Sequence, residues 1–381
     1  MTIARQLQSI IESVLLPGGS KQPAVIIYGP RQVGKTTLVR EIVAKAQVRS
    51  EYFNCDYQDV RSVFAYETIG SIGPTLQNLD LIVLDEAQRI ANIGLVLKIL
   101  VDEYPQVQVI STGSSSFELS NQIAESLAGR QRTFHLYPLT LQELHTTSSL
   151  LTRQRALPSL LRFGSYPDAA LADERQAPGL LRELVNSYVF KDIFAYQTVK
   201  KTEILTSLLR LLAFQIGSEV SYQELAIQLG IDQTVVQRYI QLLEDTFILY
   251  RLGGYRRNLR SEITKSRKIY FWDLGIRNAL IDNFSPLESR PDTGALWENF
   301  AVTERIEQNH YHDRTNRPFF WRTYGQQEID YLEESTDHLS AFEFKWNQNR
   351  KTRIPSAFAT AYPTASFDLI TPHDLSGSFF A

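Results

Sequence analysis

Gly29-Pro30-Arg31-Gln32-Val33-Gly34-Lys35-Thr36 fills every fixed position of the pattern G-x-x-x-x-G-K-[ST], and its reading decides the fold. The apolar run Ala24-Val25-Ile26-Ile27-Tyr28 precedes it and is short enough for a buried strand. A helical pattern follows through Thr37, Leu38, Val39, Ile42 and Val43. Strand, glycine-rich turn and helix in that order are the context in which the pattern cradles phosphate. The two glycines let the backbone curl, so that successive N–H groups converge on anionic oxygens. The helix starting near Lys35 aims its positive dipole end at the same place. Lys35 is placed to neutralise β- and γ-phosphates and Thr36 to ligate Mg²⁺. Residues Gly29 to Thr37, with Pro30, Arg31, Gln32 and Val33 inside the loop, are therefore the expected binding segment for a nucleoside triphosphate.

The second half of such a site is Leu79-Asp80-Leu81-Ile82-Val83-Leu84-Asp85-Glu86, an apolar strand ending in two carboxylates. It lies about 50 residues beyond the phosphate loop, within one alternating α/β unit. Asp85 at the strand end can hold the water shell of Mg²⁺, and Glu86 can orient and polarise an attacking water. A carboxylate pair here points to hydrolysis of ATP; GTPases of the Ras type position water with Gln. A further strand, Val107-Gln108-Val109-Ile110-Ser111-Thr112, runs into Gly113-Ser114-Ser115-Ser116. Thr112 or Ser114 is the candidate polar contact to the γ-phosphate or its water. A plain serine-rich turn is the other reading. Arg130, after Gly129 and before the apolar run Phe134 to Leu139, can stabilise transition-state charge in cis or across a subunit boundary. The alternative is an Arg paired with Glu143 or with solvent.

These stretches resemble a family of prokaryotic AAA-type ATPases that carry a C-terminal domain of uncharacterised function with a nuclease-like core. The resemblance rests on GPRQVGKTTL at 29–38, LIVLDEAQRI at 81–90, STGSSSFEL at 111–119, LAGR at 127–130, YPLTLQEL at 137–144 and FGSYPDA at 163–169. It implies an AAA-like first domain that uses ATP and Mg²⁺, with Arg130 in the family's arginine position.

The chain has 381 residues, too many for one ordinary core. A 43% hydrophobic and 21% charged composition is that of a soluble globular protein. The N-terminal segment, Met1 to Leu16, reads as an amphipathic helix carrying Arg5 and Glu12, without a signal peptide's apolar block. The lone Cys55 excludes an internal disulfide framework and fits a reducing cytosol. No apolar run approaches the roughly 20 residues a membrane helix needs, so a cytoplasmic setting with no membrane contact is expected. With a net charge of −3, a nucleic-acid contact requires a local basic patch.

Residues 146–200 read as helices, expected as a lid over the nucleotide site. From Leu205 to Ile216 one helix is expected. A capping box at Ser221-Tyr222-Gln223-Glu224 opens a second, and Asp232 caps a third. Two strand patterns follow, Phe247 to Leu252 and Lys268 to Trp272. That order reads as a winged helix-turn-helix. Gln233, Thr234, Gln237 and Arg238 would start the exposed third helix. Arg251, Arg256, Arg257, Arg260, Lys265, Arg267 and Lys268, with Tyr255 among them and Glu262 the single acid, would form a basic stripe able to track a phosphate backbone. The alternative is a module that contacts protein, its charge run a solvated face.

In the last hundred residues, Leu296-Trp297-Glu298-Asn299-Phe300 begins a helix, and strands follow at Pro318 to Thr323, Glu328 to Leu332 and Ala341 to Trp346. Alternation along a strand puts Glu343 and Lys345 on one face and Phe344 on the other. Asp330 from a neighbouring strand and Glu298 from the helix can join them. This constellation resembles the PD-(D/E)XK nuclease core. The resemblance implies Mg²⁺ on Glu298, Asp330 and Glu343, with Lys345 helping to activate water. His310 and His312 lack zinc-spaced partners and read as surface residues.

The expected fold is thus α/β. A phosphate-loop ATPase domain (1–145) is followed by a helical lid (146–200), a winged helix (201–275) and a restriction-endonuclease-like α/β domain (276–381). The expected activity is Mg²⁺-dependent ATP hydrolysis coupled to a module that binds, or cuts, DNA or RNA. The alternative is a switch whose ATP and ADP states alter contact with a protein partner or a second copy, its nuclease-like domain silent.

Overall fold

The computed structural model describes residues 3–15, 22–66, 68–113, 127–146, 148–190, 202–255, 267–336, 338–347 and 352–380. Ser114 and the stripe residues Arg256, Arg257, Arg260, Glu262 and Lys265 lie outside them. Two compact units emerge, residues 1–137 with 245–247, and residues 138–244 with 248–381. Among the described residues no helix is long and apolar enough to cross a membrane.

The first unit is built on five strands: β1 (Ala24–Tyr28), β2 (Ser50–Asn54), β3 (Leu81–Asp85), β4 (Gln108–Gly113) and β5 (Gln131–His135). Their order is β2-β3-β4-β1-β5, and every pairing is parallel. β1, β3 and β4 are buried at every residue, the pattern of central strands covered on both faces. β5 begins at Gln131, earlier than the apolar run from Phe134 suggests. An edge strand with exposed Arg132 and Thr133 needs no continuous apolar sequence. Because β4 lies between β1 and β3, the carboxyl ends of all three strands share one edge of the sheet. Tyr28 pairs with Gly113, and Leu84 with Ser111. Helix Lys35–Ala46 starts at that edge, straight after the loop. Two glycines are required there. A Cβ at Gly29 would sit 2.3 Å from the Leu136 carbonyl oxygen, and Gly34 adopts φ +98°.

After the short helix Leu141–Leu144, the second unit continues with helix Leu150–Phe163, which ends at Gly164, and helix Ala177–Leu184. Both belong to this unit's hydrophobic core. Helix Leu274–Leu280, which has no strong sequence signal, ties them in. Asn278 donates to the Leu161 and Arg162 carbonyls at 2.9 Å, and Asp273 accepts from the Ser165 N–H at 2.7 Å. The helices anticipated as a lid are therefore part of the second unit.

Three helices follow in order, Thr202–Phe214, Tyr222–Leu229 and Gln233–Asp245. At the second and third, the expected N-cap side chains accept from the first turn. Ser221 Oγ accepts from the Glu224 N–H at 3.3 Å, and Asp232 accepts from the Thr234 N–H at 2.7 Å. The antiparallel pair β6 (Leu249–Gly253) and β7 (Arg267–Phe271) comes next. Helix Thr293–Tyr311 then leads into β8 (Arg317–Arg322), β9 (Glu328–Glu334) and β10 (Leu339–Phe344). Helix Ser356–Ala361 and β11 (Ser366–Ile370) close the chain's last layer. The sheet order is β11-β10-β9-β8, antiparallel except for the parallel β10–β11 pair.

Candidate nucleotide-binding site

The phosphate loop is held by its own side chains. Lys35 is 4% exposed, and its Nζ donates to the carbonyls of Gly29 and Pro30, each at 2.8 Å. Those bonds hold the ammonium inside the curl of the loop. Gln32 (φ 59°) and Gly34 (φ 98°) take left-handed backbone, alternating the direction of the intervening peptides as an anion cradle requires. A brace comes from the N-terminal helix. Arg5, 8% exposed, donates from Nη1 to the Val33 carbonyl at 2.8 Å and from Nη2 to the Tyr137 carbonyl at 2.5 Å. Its sequence context marks it only as a charge on an amphipathic helix.

Asp85 sits where β3 ends, and hydroxyls from three elements converge on it. Thr36 Oγ1 donates to Oδ2 at 2.7 Å, Thr112 Oγ1 donates to Oδ1 at 2.5 Å, and the Tyr52 hydroxyl from β2 also donates to Oδ2. Burial and the adjacent carboxylate push the Tyr52 phenol up to about 12, so it remains a donor. Burial likewise raises the Cys55 thiol to about 12, which keeps it protonated and unreactive.

Glu86 begins the turn after β3 with φ 56°, a left-handed conformation rare outside glycine. Its N–H donates to Thr112 Oγ1 at 3.1 Å, and its Oε2 accepts from Gln88 Nε2 at 2.5 Å. Thr112 therefore joins the two acids, accepting from one residue's backbone and donating to the other's carboxylate. Neither Tyr52 nor Gln88 carries a sequence signal of its own, since both act through neighbours brought close by the sheet and the turn. Thr112→Val keeps the shape and removes both bonds. Losing a bond to a buried charged group costs about 1.5–3 kcal/mol, and the expected result is a lower melting temperature. If the chain turns over ATP, kcat falls while KM stays near the wild-type value; unchanged kcat and melting temperature would contradict this role.

The oxygen-only pair Thr36 Oγ1 and Asp85 fits Mg²⁺. That ion takes one or two protein oxygens beside phosphate and water. Among the described residues no group of three or more His, Cys, Asp or Glu could hold a metal ion.

Arg130 is not brought into this site. Ala24, which starts β1, donates to the Arg130 carbonyl at 2.9 Å, so Arg130 lies at the amino end of the sheet. The loop is at the other end, about 15 Å away along a strand of this length. The guanidinium instead pairs with Asp102 at 2.9 Å. The parallel direction of β5 thus keeps Arg130 from the phosphate loop of its own chain.

In the second unit, Glu298, Asp330, Glu343 and Lys345 do come together. Lys345 Nζ lies 2.5 Å from Glu343 Oε1 and 4.0 Å from Asp330 Oδ2, while Phe344 turns into the core on the opposite face. Asp330 Oδ2 accepts from the Phe344 N–H at 2.9 Å. The sequence did not place Lys268 here. Its Nζ is 3.0 Å from Glu298 Oε1, 2.6 Å from Glu328 Oε1 and 4.0 Å from Asp330 Oδ1. Burial opposes the charge on Lys268, but the three carboxylates outweigh it and raise its pKa above the ordinary value. Burial also pushes Glu298 up to about 7 against the pull of that ammonium.

Of the three described cations in the basic stripe expected along β6 and β7 (Arg251, Arg267 and Lys268), two are engaged internally. Lys268 is 2% exposed, and Arg251 is tied to Glu244 and to Gln241 at 2.5 Å. The Tyr255 hydroxyl donates to Glu334 at 3.0 Å. Charges already satisfied by acids cannot also neutralise phosphates. Gln233, Thr234, Gln237 and Arg238 are exposed at the start of their helix, and His310 and His312 lie at the surface.

Residues 21–145 match a family model described as AAA domain. Residues 154–287 and 293–374 match two models described as domains of unknown function, DUF8612 and DUF4143. An uncharacterised protein of Mycobacterium bovis, Mb2031c, is 29% identical over 340 residues, covering 88% of this chain and 72% of the relative. Another from Methanocaldococcus jannaschii, MJ1544, is 22% identical over 387 residues, covering 96% and 83%. A Walker-type ATPase of Pyrococcus abyssi, PABY2304, has a similar solved structure. The TM-score is 0.49 at 12% identity, over 74% of this chain and 96% of that one. The first unit thus carries an AAA-type ATPase domain on a parallel sheet.

Proposed function

We propose that this chain binds ATP with Mg²⁺ at Gly29–Thr37 and hydrolyses it, and that the nucleotide state controls what the second unit binds. One observation carries the reading: Thr112 couples Asp85 and Glu86 to each other at the sheet edge where the phosphate loop begins, with Thr36 bonded to the same Asp85. Lys35 holds the β- and γ-phosphates by charge, and the loop's N–H groups and the dipole of the following helix add to it. Thr36 and Asp85 would hold Mg²⁺, which when bound supplies charge neutralisation of the phosphate oxygens. Glu86 accepts a hydrogen bond from the attacking water and aligns it with the γ-phosphorus. Arg130 acts, where it acts on phosphate, on the site of a neighbouring copy in an oligomer.

Phosphate release by the full chain tests this. The expected result is turnover that needs Mg²⁺ and is lost with EDTA. ATP at 100 times its Kd should also stabilise the folded state by about 2.7 kcal/mol, read as a rise in melting temperature. No turnover together with no thermal shift would refute the reading.

The helix, helix, helix and hairpin order of 202–271 supports a winged helix. The helix, three strands, helix and strand order of 293–370 supports a PD-(D/E)XK-like fold. We read the second unit as a module that contacts a protein partner, because Arg251 and Lys268 are engaged internally. Exposed Gln233, Thr234, Gln237 and Arg238 favour a second reading, DNA or RNA on that helix. A gel shift at low salt separates the two.

A further inference from the structure

A PD-(D/E)XK-like fold leads one to expect a divalent cation on Glu298, Asp330 and Glu343, and the residues present do not fit it. We propose that Lys268 is a built-in counter-ion that fills this acid cluster in place of a metal, leaving a latent divalent-cation site that opens only when its ammonium is removed. The inference concerns the second unit alone and stands whether or not the first unit hydrolyses ATP.

An ammonium has three donors and no lone pair; Lys268 places its Nζ 3.0 Å from Glu298 Oε1 and 2.6 Å from Glu328 Oε1, with Asp330 Oδ1 at the longer ion-pair distance of 4.0 Å. Other donors share the cluster. Tyr270, on the same face of β7, donates its hydroxyl at 2.7 Å to Glu298 Oε1, the oxygen that Lys268 also contacts. Asp330 Oδ2 takes the Phe344 N–H, and Lys345 donates to Glu343 Oε1 at 2.5 Å. A metal on the same carboxylates would lie within a few ångströms of a fixed positive charge, in a place where little solvent screens the repulsion.

Lys268 cannot step aside. Its residue pairs with Leu252 across the hairpin and bridges to Glu219 on the other side, so its backbone is held from both edges. The side chain is 2% exposed, and its Nζ lies 5.6 Å from the centre of the Phe320 ring. Glu328, the tightest of its partners, is itself steadied by Arg322 at 3.7 Å. Removing the ammonium would leave four carboxylates, Glu298, Glu328, Asp330 and Glu343, facing only Lys345 and that Arg. Oxygen ligands in such excess of charge are what a hard divalent cation takes.

Mn²⁺ binding to the nucleotide-free full chain, counted by electron paramagnetic resonance, tests this. Any ion held near Thr36 and Asp85 is common to every variant and cancels. Wild type and Asp330→Asn should bind Mn²⁺ alike. Lys268→Met should gain about one ion per chain, and Lys268→Met/Asp330→Asn should lose it again. Mn²⁺ should raise the melting temperature of Lys268→Met and leave that of wild type unmoved. If Asp330→Asn removes an ion from the wild-type chain, or if folded Lys268→Met gains none, the proposal is overturned. Should Lys268→Met fail to fold, the wild type and Asp330→Asn pair still decides, because a filled cluster in the wild type predicts no difference between them.

Discussion

Glu86→Gln keeps its affinity for ATP and loses hydrolysis by roughly two to four orders of magnitude, the range a positioned general base contributes. The substitution is nearly isosteric. Its amide still meets Gln88, and the backbone N–H that Thr112 holds is untouched. What disappears is the negative charge that draws a proton from water as the oxygen approaches the γ-phosphorus. Binding relies on other groups, the loop amides and Lys35, and so survives. Phosphate release and nucleotide affinity measured on one preparation check both halves. Equal turnover in variant and wild type would move the water-activating role away from Glu86.

The second large effect belongs to Lys35→Ala. This ammonium is 4% exposed and already buried among backbone carbonyls, so its desolvation is complete before any ligand arrives. Exchanging those carbonyls for phosphate oxygens replaces neutral acceptors with charged ones, and charged pairs are the stronger. Truncating one partner of a buried charge pair costs about 2–5 kcal/mol, so ATP affinity falls by more than roughly thirtyfold. The Gly29 and Pro30 carbonyls also lose their donor. A modest drop in the melting temperature of the nucleotide-free protein is therefore expected too, and it separates loop stability from ligand binding.

The two acid sites differ in what surrounds their carboxylates. Asp85 is surrounded by hydroxyls, which orient a carboxylate and leave its charge uncancelled. Asp330 lies beside two ammonium groups and a backbone N–H. The same carboxylate chemistry is thus open to a metal at Asp85 and internally neutralised at Asp330.

What could be read from the chain follows from where the information lies. The phosphate loop and the Asp85-Glu86 pair are contiguous stretches whose backbone conformation they largely dictate, so strand, turn and helix were legible together. The capped helices from 202 to 245 were legible for the same reason. The position of Arg130 at the amino end of the sheet is not legible, because spacing says nothing about which end of a parallel strand a residue occupies, and that depends on β5 pairing with β1. Its charge places Lys268 in a basic stripe able to track a phosphate backbone, or in a solvated face. Charge runs carry no burial signal, although the apolar residues Ile269, Tyr270 and Phe271 beside it hinted at a strand covered on both faces. Arg5, Tyr52 and Gln88 act through contacts made only once distant elements have packed.

Calorimetric titration of ATP into the full chain with Mg²⁺ tests the central claim most directly. Wild type should show binding heat at about one site per chain, and Lys35→Ala should show none over the same concentrations. A folded wild-type protein that gives no heat with ATP or ADP would contradict the account.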